Sequence, residues 1–271
     1  MSRYERTTPE SAAAPSPDER YRGYAGELAL RIYRPAAAAP TPVVVLFHGG
    51  GFVDGSLDAI APLAAAMAMR LDIAVATPGY TLASERSFPA AVEDAYAAIT
   101  WAAENAHRER WDAKRLMVAG VDAGGNLAAV AAMMARDRGG PALAAQILVA
   151  PMLDPTLTSH SMQHAAANAP HSQGGCNAGY RAYLPNAVDR LHPYAAPSSC
   201  SRVRGLAPAL ILTAEDDPLR DEAEAYGAKL ITAGVTTQVS RLPRIEAAKN
   251  IWTDEAWTAL AAFLGARVAR P

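Results

Sequence analysis

Short apolar runs alternate along this chain with longer alanine-rich stretches, and that rhythm constrains the fold more than any other feature. Residues 43–47 (VVVLF), 73–77, 115–119, 146–150 and 209–213 read as strands. Residues 43–47 are continuously apolar and the others are so apart from one terminal residue each, rather than alternating, as expected of strands covered on both faces. Residues 27–33 and 236–241 alternate instead, which fits positions nearer the sheet edges. Between the runs lie helical candidates at 58–70, 90–106, 125–138, 219–233 and 254–268. Pro89 stands just before the second of these, and Gly139-Gly140 follow the third, as helix start and stop signals do. The alternation predicts βαβ units, hence an α/β fold with a mostly parallel central sheet and helices on both faces.

Residues 154–204 break the rhythm. They hold Pro170, Pro185, Pro193, Pro197, Gly174-Gly175 and four histidines (His160, His164, His171 and His192), with a short helix predicted at 177–184. An irregular insertion of this size is expected to form a small lid. The expected division is an N-terminal arm over 1–24, a core over 25–153 and 205–271, and the lid over 154–204. Within the lid, Tyr180, Tyr183, Leu184 and Tyr194 supply packing material.

Composition excludes several functions. The 271 residues carry a formal net charge of -2, with no basic run to bind nucleic acid or a membrane surface. No apolar stretch approaches the roughly 18 residues of a membrane span. The polar first twenty residues lack the apolar core of a signal peptide, so a cytoplasmic setting is expected. Two cysteines make no disulfide framework, and no Cys/His spacing suggests a metal, so neither metal nor cofactor is expected.

Three segments carry chemistry. His48-Gly49-Gly50-Gly51-Phe52 follows the strand at 43–47, and three glycines let backbone N–H groups approach a ligand oxygen, as in an oxyanion hole. Gly120-Val121-Asp122-Ala123-Gly124 follows the strand at 115–119 and opens a helix, the setting of a nucleophile elbow with aspartate at its apex. Thr213-Ala214-Glu215-Asp216-Asp217-Pro218 lies after a strand, where an acid can orient a histidine and where an N-cap cluster also starts a helix.

Together these segments resemble the hormone-sensitive-lipase-like (family IV) esterases of the α/β-hydrolase superfamily. The likeness extends to Phe88–Tyr96 (FPAAVEDAY), to His192–Pro197 (HPYAAP) and to the helix after Asp217. It implies the α/β-hydrolase fold, with Gly49, Gly50, Gly51 and Ala123 forming the oxyanion hole. It also implies dimerisation of the kind related esterases make through the C-terminal strand and helix. The departures fall on the chemistry. Asp122 stands where the family has serine, and residues 243–249 (PRIEAAK) put Ala247 where it has histidine. No histidine follows His192, and the family's DYRLAPE segment reads GYTLASE at 79–85.

These departures point away from ordinary serine-esterase chemistry, which needs a hydroxyl and a base. The expected enzyme acts on a hydrophobic, natural-product-like small molecule. Its chemistry would be non-hydrolytic or acid/base: cyclisation, elimination, isomerisation or epoxide opening through Asp122. Asp217 and Glu246 are the candidate partners of Asp122. His48, Phe52, Tyr80, Val121, Tyr180 and Glu215 are the candidate substrate-binding residues. Two alternatives stand beside it: an Asp-nucleophile hydrolase of epoxide or ester type, and a catalytically inactive binding protein. A histidine of the lid (His160, His164 or His171) is a further candidate base.

Overall fold

The computed structural model describes residues 15–16, 18–35, 40–165, 171–244 and 251–268. Its first half runs β1 (Glu19–Arg22), β2 (Glu27–Tyr33), β3 (Thr41–Phe47), α1 (Leu57–Leu71), β4 (Ala74–Pro78), α2 (Ala90–Glu104), α3 (Ala106–Glu109) and β5 (Trp111–Val121). There follow α4 (Ala123–Asp137), β6 (Ala145–Val149), α5 (His160–Gln163) and α6 (Gln173–Tyr183). The chain closes with β7 (Ala209–Ala214), α7 (Arg220–Thr232), β8 (Thr237–Leu242) and α8 (Asp254–Val268). The described strands form one eight-stranded sheet in the order β1-β2-β4-β3-β5-β6-β7-β8. The pairs β1–β2 and β2–β4 are antiparallel and the others parallel. This is the expected α/β-hydrolase architecture.

The continuous apolar strands are buried on both faces, as their sequence requires. Val43, Val45 and Phe47 of β3 face a core layer shared with α2, α4 and α7, while Val44 and Leu46 face the layer of α1 and α8. Each such side chain stabilises the fold by roughly 1.5–3 kcal/mol relative to exposure. The small residues of α4 (AGGNLAAVAAMMARD) let it lie close against the sheet, with thirteen of its fifteen residues buried.

The sheet order places the site. From β3 the chain crosses to β4 on one side and later to β5 on the other, so the carboxyl ends of β3 and β5 flank a topological switch point, where open α/β sheets bind ligands. The two glycine-rich segments leave the sheet there.

Two local differences from the sequence expectation have simple causes. Residues 19–22, inside the expected arm, form β1: Arg22 pairs with Glu27 across a short turn, and Tyr21 is buried while its neighbours are not. The lid helix begins at Gln173 rather than 177, because the Ser172 hydroxyl caps it by accepting from Gly175 N–H at 3.5 Å. Among the described residues no helix is long and apolar enough to cross a membrane.

Candidate active site

The site is built around Asp122, the residue between β5 and α4. Its φ of 55° and ψ of -121° put a non-glycine residue in a sparsely populated conformation. The two flanking glycines are demanded by contact. A Cβ on Gly120 would lie 2.0 Å from Gly124 O, and one on Gly124 would lie 2.3 Å from Phe47 O. The turn is tied down further by Asp122 N–H donating to Val149 O at 3.0 Å and by Met152 N–H donating to Asp122 O at 3.1 Å. The elbow therefore presents one side chain at the switch point, held by packing rather than by preference.

The Asp122 carboxylate reaches across to the loop after β3. Its Oδ2 accepts the N–H groups of Gly50 at 2.8 Å and Gly51 at 2.9 Å. These are the donors expected of an oxyanion hole, and here they hold a carboxylate. Gly49 lies against Asp122 as well, a Cβ there falling 3.2 Å from Oδ2. Ala123, buried, opens α4 beside the apex, and Val121 is buried as the last residue of β5.

His171 completes the cluster from the lid. Its Nε2 lies 3.5 Å from Asp122 Oδ1, and its Nδ1 lies 3.7 Å from Asp217 Oδ2. Both are ion-pair distances, longer than a hydrogen bond. Asp217 is buried after β7, and its Oδ1 accepts Leu219 N–H at 2.7 Å. Burial alone raises the Asp122 carboxyl, but the nearby His171 imidazole and the two glycine N–H groups outweigh it. The carboxyl is held below the ordinary aspartate value. Asp217, although no histidine follows His192 in the chain, thus has an imidazole facing it. A histidine before His192 is the one brought between the two carboxylates, because residues 171–183 return over the glycine loop.

The other predicted residues divide. His48 is buried, stacks on Tyr80 at 4.2 Å and sets its Nδ1 2.8 Å from Gly49 O. Burial pushes its imidazole below the usual histidine value. The Tyr80 hydroxyl donates to His48 O at 3.1 Å, so this pair shapes the glycine loop. Phe52 stacks on Tyr183 at 4.0 Å and lies 5.7 Å from Tyr180, forming an aromatic wall between loop and lid. Glu215 does not join: it is exposed, and its Oε2 accepts Arg244 N–H at 3.3 Å. Glu246 lies outside the described residues. His160 and His164 stack on each other at 4.0 Å, exposed on α5.

Sequence reasoning missed two supports. Asn126 donates from Nδ2 to Met152 O at 2.8 Å and Ala195 O at 3.2 Å, joining α4 to the loop after β6 and to the lid. Glu222 is buried on α7, where its Oε1 accepts the N–H groups of Leu153 at 2.6 Å and Asp154 at 3.2 Å. Burial pushes its carboxyl well above the usual glutamate value. Burial likewise raises the Cys176 thiol, which donates to His171 O at 3.4 Å and so serves structure rather than nucleophilic attack.

A family model described as alpha/beta hydrolase fold matches residues 44–246. The chain is 38% identical over 248 residues to carboxylesterase NlhH of Mycobacterium tuberculosis (strain ATCC 25618 / H37Rv), covering 88% of this chain and 76% of that protein. It is 34% identical over 217 residues to an arylesterase of Saccharolobus solfataricus, covering 78% and 69% of the two chains. Among solved structures, the thermostable carboxylesterase EstE1 from a metagenomic library superposes with a TM-score of 0.90 at 32% identity, covering 97% of this chain and 92% of that one.

These likenesses overturn the expectation of non-hydrolytic chemistry on a natural-product-like substrate. They overturn its two alternatives too, the Asp-nucleophile hydrolase and the inactive binder. Proteins this similar over most of the chain are named for ester hydrolysis. The physical ground for the earlier expectation was a missing hydroxyl and a missing base, and the structure does bring one histidine, His171, between Asp122 and Asp217.

Proposed function

The chain belongs to the alpha/beta hydrolase fold family, and on that premise we propose that it hydrolyses carboxylic esters at the Asp122–His171–Asp217 site, without a serine at the elbow. The observation that carries this reading is the placement of His171, with one ring nitrogen toward the elbow and the other toward a buried carboxylate. The names of the relatives support ester hydrolysis as the reaction. In this reading Asp122 and Ala247 stand at the family's serine and histidine positions, and the lid supplies the base.

Water is the attacking group. His171 takes its proton as the oxygen adds to the ester carbonyl carbon. Negative charge gathers on the carbonyl oxygen, which takes the Gly50 and Gly51 N–H donors. In the substrate-free site Asp122 occupies those donors, so its carboxylate yields them when the ester enters. Collapse of the tetrahedral intermediate breaks the bond to the leaving oxygen, and His171 returns the proton to the departing alcohol. Asp217 keeps the imidazole oriented throughout. The aromatic wall of Phe52, Tyr180 and Tyr183 supports an apolar acyl group.

Hydrolysis of p-nitrophenyl esters of increasing acyl length tests the reading. The full chain is expected to exceed the buffer rate, and His171→Ala to lose about 10²-fold or more in kcat. A wild-type rate equal to buffer, or a rate indifferent to His171→Ala, overturns it.

A further inference from the structure

A surface cavity of about 450 Å³ at the C-terminal end of α4 is lined by Arg136, Asp137, Ser201, Arg202 and Arg204. The fifteen residues of α4 separate it from Asp122 by about 20 Å, so it is distinct from the candidate active site. Its lining is strongly cationic in a chain whose net charge is -2.

The groups of this cavity divide into a fixed frame and a free pair. Arg136 is used internally: its Nε donates to Asp137 Oδ1 at 2.7 Å, and its Nη1 donates to the carbonyls of Arg202 at 2.7 Å and Arg204 at 3.0 Å. The second oxygen of Asp137 accepts the Tyr194 hydroxyl at 2.8 Å. Lys229 holds the same loop from behind by donating to the carbonyls of Ser198 and Cys200. Val203 is buried between the two exposed arginines and anchors the segment that carries them. The backbone is therefore fixed, and among the described residues neither Arg202 nor Arg204 forms an ion pair. One carboxylate, Asp137, faces both Arg136 and Arg202, so the four charged side chains of the lining leave a net surplus of two positive charges.

We propose that this cavity binds a small molecule bearing a dianionic phosphate-type group. A dianion balances the surplus of two positive charges, whereas a single carboxylate leaves one unmatched. The planar forks of Arg202 and Arg204 match phosphate oxygens two at a time. Ser201 adds a hydroxyl at the rim, and the volume leaves room for an organic portion beyond the anion.

Isothermal titration of the full chain with inorganic phosphate, at fixed ionic strength, tests the site. Saturable binding is expected, weakened about tenfold or more in Arg202→Ala/Arg204→Ala and unchanged in His171→Ala. Acetate is expected to bind more weakly than phosphate. Arg202→Lys/Arg204→Lys, which keeps the charge and removes the forks, is expected to fall between wild type and the double alanine variant. Both positions are exposed, so the variants are expected to melt as wild type does. Absence of saturation, equal affinity in wild type and the double alanine variant, or acetate binding as tightly as phosphate overturns the proposal.

Discussion

The imidazole of His171 faces the carboxylate of Asp217 at 3.7 Å, so a lid segment supplies the partner of the acid that follows β7. The consequence is a row of acid, imidazole and elbow whose middle member is one of the three histidines offered as a candidate base. Its immediate test is at the elbow. Asp122→Ser removes the carboxylate from the Gly50 and Gly51 donors and places a hydroxyl on the side of the turn that His171 faces. Aryl-ester hydrolysis is expected to rise, and a fluorophosphonate probe is expected to label position 122. A variant that is slower than wild type and unlabelled by mass spectrometry contradicts the assignment of the base.

The close approach of Gly124 to the end of β3 makes a stability prediction. A methyl group there meets Phe47 O at 2.3 Å and His48 O at 2.4 Å, and both are backbone atoms of the central sheet region. Gly124→Ala is expected to cost about 3 kcal/mol or more, because backbone must shift rather than a side chain end. Denaturant unfolding measures this, and a midpoint within error of wild type contradicts it.

Glu222 predicts a pH dependence of stability. Its carboxyl is held above the usual glutamate value of 4.5 by burial. The folded state therefore keeps a proton that the unfolded chain releases, and the contribution to stability falls as pH rises above about 4.5. Glu222→Gln keeps a neutral group with an acceptor for the Leu153 and Asp154 N–H groups. Relative to wild type, this variant is expected to gain stability steadily as pH is raised from 4.5. A difference constant across that range, measured by thermal unfolding at several pH values, refutes it.

Asp122 predicts the opposite slope. Its carboxyl is held below the usual aspartate value of 3.8, so its contribution is present above that value and is lost as pH falls through the folded value. Asp122→Asn is expected to remove this acid sensitivity, so that the gap between the two proteins narrows below 3.8. A gap that widens on acidification speaks against the ionised carboxylate in the glycine loop.

The sheet was legible because its central strands are continuous apolar runs: residues 43–47 lie within β3, and the strand expected at 209–213 lies within Ala209–Ala214. The elbow and the glycine loop were legible because close backbone approach leaves glycine little alternative there. β1 was hidden because an edge strand buries little, and ERYR offers only Tyr21 to a core. His171 was not distinguishable from His160 or His164, since all three are lid histidines without a local motif. Only the return of the chain over the sheet separates them, sending one into the cluster and leaving the other two stacked in solvent. Glu215 lies two positions before Asp217 in sequence, yet its carboxylate turns outward to Arg244 while Asp217 turns in.

The lid presses on the glycine loop so tightly that a Cβ on Gly179 would fall 2.3 Å from Gly51 O, and the same segment carries His171. The segment that packs on the glycine loop and the segment that carries the proposed proton acceptor are therefore one, so on the proposed reading a shift of either would move both.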